Sequence, residues 1–269
     1  MSETDKPFVL NPAKRMMDEG KLSLMFSVRQ TRSVDIALAA KAAGYDSIYI
    51  DLEHGALTIP EAGQICVTAL AVGLSPFVRV PAGATDAAAQ VLDLGAMGII
   101  APHISGPADA ERMVAACKYP PVGHRSNSSS LPQQWLAKLP LVQVQERLNE
   151  ETMVLAMIES ASGLENVEAI AAVPGVDALL VGTSDLSAEL GIPGQFGSDI
   201  IMKALERIIA AGKKHKKHVS LGGGIKGGPV TVLKTLCDMG VRQISVGNDV
   251  GMLNAAMRQR VIEINKLVS

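Results

Sequence analysis

Aromatic side chains are scarce in this chain, at 3% of 269 residues, and that scarcity removes one class of function at once. Single-stranded nucleic acid is held on stacked rings above a basic groove, and a formal net charge of −2 supplies no such groove. No nucleic-acid partner is expected. Nor does any apolar run reach the length of a membrane span, although 48% of residues are hydrophobic, so the apolar content is destined for a buried core and no membrane partner is expected. The opening stretch MSETDKPFVLN lacks the basic flank and apolar segment of a secretory signal, which predicts a cytoplasmic location. Only three cysteines occur, Cys66, Cys117 and Cys237, widely spaced and each inside an expected helix; neither a disulfide framework nor a cysteine metal site is suggested. No G-x-G-x-x-G follows the first expected strand, which makes a doubly wound open sheet the weaker fold reading.

What is present is a rhythm. Asn11-Pro12 is a good cap and first turn for a helix over about 11–20, expected to plug the bottom of the fold. Short apolar runs at 22–28, 47–50, 76–81, 98–103, 154–158, 178–181, 219–221 and 243–246 read as strands. Between and after them, amphipathic segments at 33–43, 59–73, 86–95, 107–119, 164–173, 198–214, 229–239 and 252–267 read as helices. Residues 120–151 break the rhythm with a Pro-Pro pair, a Ser-rich stretch and a helix expected around 133–139; an insertion of that length at a strand top predicts a functional loop. Eight strands alternating with eight helices, with no linker, predict an α/β fold, one (β/α)8 TIM barrel over 1–269.

In such a barrel, chemistry sits at the C-terminal ends of the strands. Glu159 follows strand five and Asp185 lies three residues beyond Gly182 at the end of strand six, so the βαβ crossover sets two carboxylates side by side on one rim. Two converging acids need a cation, a proton or a basic side chain, and carboxylate oxygens suit Mg²⁺ or Mn²⁺ with positions left for water and substrate. The competing reading is that both acids merely cap the helices that follow. On the same rim stand Asp51, Glu53 and His54 after strand two. Asp51, three residues away, could hydrogen-bond and orient the His54 ring for proton transfer, whereas a lone rim histidine is otherwise simply solvated. Arg79 interrupts the apolar strand Phe77-Val78-Arg79-Val80 and needs an anion, either substrate or a structural salt bridge to Glu159 or Asp51.

Asp51-Leu52-Glu53-His54-Gly55, Phe77-Val78-Arg79-Val80-Pro81, Lys118-Tyr119-Pro120-Pro121-x-Gly123-x-Arg125, Ile158-Glu159, Val173-Pro174-Gly175-Val176-Asp177 and Val181-Gly182-x-x-Asp185-Leu186-Ser187 occur together and in order. Over nearly its whole length the chain resembles the metal-dependent class II pyruvate aldolases. These include 4-hydroxy-2-oxoheptanedioate aldolase and the 2-keto-3-deoxy sugar acid aldolases, with macrophomate synthase and the citrate lyase β family as relatives. The resemblance implies a carbon–carbon lyase that cleaves a 4-hydroxy-2-oxo acid to pyruvate and an aldehyde through an enolate. It implies Glu159 and Asp185 as ligands of a divalent metal, Mg²⁺ or Mn²⁺ with Co²⁺ as a further candidate. Arg79 would stabilise the enolate, and His54 with Asp51 would handle protons. Arg79, Ser184 and Glu53 are the expected substrate contacts. It further implies a homohexamer, a trimer of dimers, with the last helix exchanged between subunits. The apolar stripe Met252, Leu253, Ala256, Met257, Val261 and Ile264 suits such packing.

Three departures bear on specificity. Met157 stands where members often carry glutamine; Ser126 follows Arg125 where glycine is usual, opening the Ser126 to Ser130 run; and Thr183 replaces a proline. Other classes stay open. Gly222-Gly223-Gly224 and Gly247-Asn248 resemble the phosphate cradle of barrel isomerases, which needs a free helix N-terminus after strand eight. A related acyl-CoA ester lyase would need a basic patch, and the dense candidate, residues 213–218, lies before strand seven on the opposite face. A non-catalytic binding barrel is the blandest alternative.

Overall fold

The computed structural model describes residues 8–224 and 230–268. Eight parallel strands close into a barrel in sequence order: β1 (Ser23–Val28), β2 (Ser47–Asp51), β3 (Ser75–Arg79), β4 (Gly98–Ala101), β5 (Met153–Ile158), β6 (Ala178–Gly182), β7 (His218–Gly222) and β8 (Gln243–Asn248), with β8 returning to pair with β1. Around it run α2 (Asp35–Ala42), α3 (Ile59–Ala71), α4 (Thr85–Asp93), α5 (Pro107–Cys117), α6 (Leu141–Glu151), α7 (Ala161–Glu165), α8 (Val167–Ala172), α9 (Thr183–Glu189), α10 (Asp199–Lys214), α11 (Val230–Met239) and α12 (Asp249–Val268), preceded by α1 (Pro12–Asp18). The expected TIM barrel is therefore what the chain forms.

Side-chain alternation divides the core into two. Outward-facing Ile48, Ile50, Val78, Ile99, Val154, Ala156 and Leu179 pack with the helices. Inward-facing Met25, Tyr49, Phe77, Ile100, Leu155, Met157 and Leu180 fill the barrel, and Ala13 and Met17 of α1 join that inner cluster from below. The plug expected of the first helix is thus real. Its start is held by Asn11, whose Oδ1 accepts the Lys14 N–H at 3.1 Å and whose Nδ2 donates to the carbonyls of Met97 and Glu151.

Four local expectations need correction. No helix covers 133–139: a single 3₁₀ turn at Pro132–Gln134 gives way to left-handed Trp135 and Leu136, and the helix of this segment is α6. Pro140 disfavours helical geometry at Leu139, so the helix starts after it, burying Val144 and Leu148 at helical spacing. Arg125 holds the insertion down on Asp93 at 2.7 Å, and Lys118, just before it, pairs with Asp177 at 3.1 Å. The helix expected over 164–173 is divided at Asn166, whose side chain donates to the Ser105 carbonyl at 2.9 Å. Strands three and four end at Arg79 and Ala101, earlier than expected, leaving the residues beyond them as rim loop. Between β6 and α10 an additional short helix, α9, carries Asp185 in its first turn. Pro229 and residues 1–7 lie outside the described residues.

Candidate active site

Register puts the first pair together. Asp51 ends β2 directly opposite Arg79 at the end of β3, so neighbouring parallel strands bring both side chains to one face and one height. Arg79 grips Asp51 through both edges of its fork, Nε to Oδ1 at 2.9 Å and Nη2 to Oδ2 at 2.6 Å, and Nη1 lies 2.9 Å from Oε2 of Glu53. Burial works against the charged guanidinium, but the Asp51 hydrogen bonds and the charges of Asp51 and Glu53 outweigh it, so the pKa of Arg79 rises and the group stays cationic. The Tyr49 ring lies 5.5 Å from the Arg79 guanidinium carbon.

Asp51 also accepts the backbone N–H groups of Glu53 and His54, each at 3.1 Å. This corrects the expectation for His54. Asp51 binds its main chain, whereas its ring is about half exposed, with Nε2 3.9 Å from Glu53 Oε2. Glycine at position 55 is a steric requirement of that turn, since a Cβ there would sit 1.9 Å from the Asp51 carbonyl oxygen. For Asp51, burial raises the pKa but hydrogen bonds and charge from Arg79, with the two N–H groups, hold it below the ordinary 3.8. That depressed pKa means stability present above about pH 3.8 and lost as pH falls through the lower, folded value. Asp51→Asn should therefore cost about 3–5 kcal/mol at neutral pH, the cost of removing one partner of a buried pair, with the deficit shrinking toward strongly acidic pH. Urea titrations of both proteins across that range would show it; a pH-independent deficit would detach Asp51 from the acid transition.

The second pair sits across the barrel mouth. Glu159 follows β5 and is 1% exposed, its Oε1 accepting the His103 N–H at 2.7 Å while Oε2 is buried with no hydrogen-bond partner. Room for it comes from Gly182 on β6, where a Cβ would lie 2.6 Å from Glu159 Oε2. Burial is the chief influence holding the Glu159 carboxyl above the usual range; His103 opposes it, while nearby Asp185 and Glu53 add to it. An unpartnered buried carboxylate oxygen beside a second carboxylate is a fitting donor set for a hard divalent cation. Among the described residues no third His, Cys, Asp or Glu completes such a group, so water and substrate would fill the remaining positions.

Ser184 and Asp185, in the first turn of α9, line a cavity of about 380 Å³ together with Asp51, His54 and Arg79, so most of the expected site residues converge. Glu53 acts one step back, between Arg79 and His103 Nε2 at 3.3 Å. Met157 also lines the cavity, a thioether where an amide would have offered a hydrogen bond. Sequence reading missed three residues. His103 bridges Glu53 and Glu159, its Nδ1 3.4 Å from the latter, from a left-handed backbone (φ 54°) that no local signal announces. Tyr49 was legible as the inward residue two before Asp51, and Arg29 as a charge at the end of β1.

The model of the family described as HpcH/HpaI aldolase/citrate lyase matches residues 23–221. The chain is 43% identical over 206 residues to the 4-hydroxy-4-methyl-2-oxoglutarate aldolase of Hapsidospora irregularis, covering 76% of each chain. It is 34% identical over 245 residues to the 4-hydroxy-2-oxovalerate aldolase of Novosphingobium aromaticivorans, covering 89% of each. Its fold superposes on the crystal structure of an HpcH/HpaI aldolase from Desulfitobacterium hafniense DCB-2 with a TM-score of 0.87 at 25% identity, over 93% of this chain and 95% of that one.

Proposed function

Because this chain belongs to the HpcH/HpaI aldolase/citrate lyase family, we propose that it is an aldolase that reversibly cleaves a 4-hydroxy-2-oxo acid to pyruvate and a second carbonyl compound, an aldehyde in the simplest case. One observation carries the reading: a locked arginine lines the cavity and is linked through Glu53 and His103 to Glu159, whose buried carboxylate oxygen has no partner. Breaking the C3–C4 bond leaves an electron pair on C3 that spreads onto the 2-oxo oxygen, so positive charge at that oxygen lowers the barrier. Nε and Nη2 of Arg79 each donate one hydrogen bond to Asp51 and Nη1 forms an ion pair with Glu53, which leaves N–H groups on both terminal nitrogens for the enolate oxygen. Glu53 is then a positioning residue for Arg79. His54, with its ring half exposed at the cavity, takes the 4-hydroxyl proton as C4 becomes a carbonyl carbon. Ser184 contacts the pyruvate half. A divalent cation, Mg²⁺, Mn²⁺ or Co²⁺, held by Glu159 and Asp185 would act as a Lewis acid at the 2-oxo group. No lysine lines the cavity among the described residues, which favours this route over a Schiff base.

The phosphate-cradle reading is disfavoured by a specific contact. After β8, the Asp249 carboxylate accepts the N–H groups of Arg29, Gln30, Thr31 and Val250, and Asn248 Oδ1 accepts that of Gly251, so the helix start already holds an anion. An acyl-CoA site finds no support in the basic run at 213–218, where Lys214 pairs with Glu168 and His218 with Asp18. The direct test is pyruvate release from 4-hydroxy-2-oxo acids with and without added metal; no release from any of them would overturn the reading.

The same proposal covers assembly. Along α12, Leu253, Met257, Val261 and Ile264 are 60%, 50%, 58% and 43% exposed, an apolar helix face that nothing among the described residues covers. We assign it to a second copy, with α12 exchanged between subunits of a single-domain barrel and the dimers joined as a hexamer in the cytoplasm. Light scattering should give six chains per particle, and Met257→Asp with Val261→Asp should reduce that number; a monomeric wild type would refute it. No helix among the described residues is long and apolar enough to cross a membrane.

A further inference from the structure

The cavity also takes in the ends of β1 and β8, which the reading above leaves unused. Asp185 follows β6, and three strands further round the closed barrel stand Ser27 and Arg29 of the β1 terminus, beside Ser245 and Asn248 of β8; Arg79 lies between them and shares Asp51 Oδ2 with Arg29. Among the described residues, three that line it can carry positive charge. Arg79 is committed to two acids, and His54 faces Glu53 at 3.9 Å. Arg29 differs. Its closest acid is Asp51, 3.5 Å from Nε and already held by Arg79 at 2.6 Å; its Nη2 donates to the neutral carbonyl of His54 at 3.2 Å; and Nη1 has no partner among the described residues.

The backbone of Arg29, by contrast, is fixed from two sides. Its N–H donates to Asp249, which also gathers the next two N–H groups, and its carbonyl accepts the Ala56 N–H at 2.7 Å. A Cβ at Gly55 would approach that carbonyl to 2.9 Å, so the β2 loop packs hard against it. The result is a positioned, half-exposed guanidinium with unused donors that lines the cavity without being locked as Arg79 is. A planar fork with free N–H groups is suited to a carboxylate.

We propose that Arg29 binds the distal carboxylate of the substrate, so that the preferred substrates are 4-hydroxy-2-oxo diacids and the second product is an oxo acid; this rests on the aldol reading above. In the cleavage the C3–C4 pair passes to C3, which gains a proton to become the pyruvate methyl group. The 4-hydroxyl loses its proton, and C4 becomes the carbonyl carbon of the product whose carboxylate stays on Arg29. The two relatives' names differ on this point, one carrying a diacid and the other a monoacid.

The test compares kcat/KM for 4-hydroxy-4-methyl-2-oxoglutarate and 4-hydroxy-2-oxovalerate, with saturating Mn²⁺, in the wild type, Arg29→Gln and Arg29→Lys. The wild type should favour the diacid. Arg29→Gln should lower that preference by about 10–100-fold, chiefly through KM, as expected for a lost charge-assisted pair, and Arg29→Lys should retain part of it. A wild type without preference, or a preference unchanged in Arg29→Gln, overturns the assignment. Cleavage of neither acid by the wild type would instead overturn the aldol reading itself.

Discussion

Replacing Glu159 by glutamine is expected to abolish metal-dependent pyruvate release while leaving the barrel folded. The lost Lewis-acid contribution is several kcal/mol, about 4 kcal/mol or a factor of about 10³ in rate, and Asp185→Asn should behave alike. A second readout does not depend on turnover. Metal at about a hundred times its dissociation constant should stabilise the wild type by about 2.7 kcal/mol and either variant by almost nothing. Without metal the order reverses, because glutamine removes a buried charge crowded by Asp185 and Glu53, so the metal-free variant should melt no lower than the wild type. The sign with pH follows from the raised pKa of Glu159. Its contribution to the metal-free protein is present at low pH and lost as pH rises through the folded value, opposite to that of Asp51. Undiminished turnover of Glu159→Gln, or of the chelated wild type, would end the metal assignment.

Arg79→Lys should lower kcat by about 10²-fold or more. A lysine keeps a positive charge near the 2-oxo oxygen but cannot bind Asp51 with two donors, reach Glu53 with a third and still present the remaining N–H groups to an enolate. Since the fork proposed to stabilise the enolate also holds Asp51, stability should fall as well, by the lost second contact to Asp51. The separation lies in the half-reaction. Exchange of pyruvate C3 hydrogens with solvent needs the enolate but no acceptor, so it should fall by a factor similar to that of cleavage. Near-normal exchange in a destabilised Arg79→Lys protein would leave the arginine a structural role alone.

The barrel was legible because alternation of apolar runs and helical periods extends over the whole chain, and the ends of β2, β3, β5 and β6 were close enough to place Asp51, Arg79, Glu159 and Asp185 on one rim. That Asp51 and Arg79 are exact register partners was not legible, since register depends on the closed sheet. The role of the Asp51 carboxylate was misread toward the His54 ring for a similar reason. The turn closed by Gly55 folds the His54 main chain back onto Asp51 and sends its ring elsewhere, and sequence distance alone does not distinguish the two. His103 escaped notice because its position between Glu53 and Glu159 requires a left-handed backbone that histidine does not advertise. In the insertion, the expected helix at 133–139 ignored the veto of Pro140 on its preceding residue.

The central claim is that Arg79, Glu159 and Asp185 together make an enolate of pyruvate. Proton NMR of pyruvate in deuterium oxide, with the wild-type protein and Mg²⁺ but no aldehyde or oxo-acid acceptor, measures that step alone. The account predicts loss of the methyl signal well above the enzyme-free rate, abolished by a chelator, restored by metal and absent in Glu159→Gln. Exchange that survives chelation, or a wild type that cleaves substrate without exchanging pyruvate at all, would contradict it.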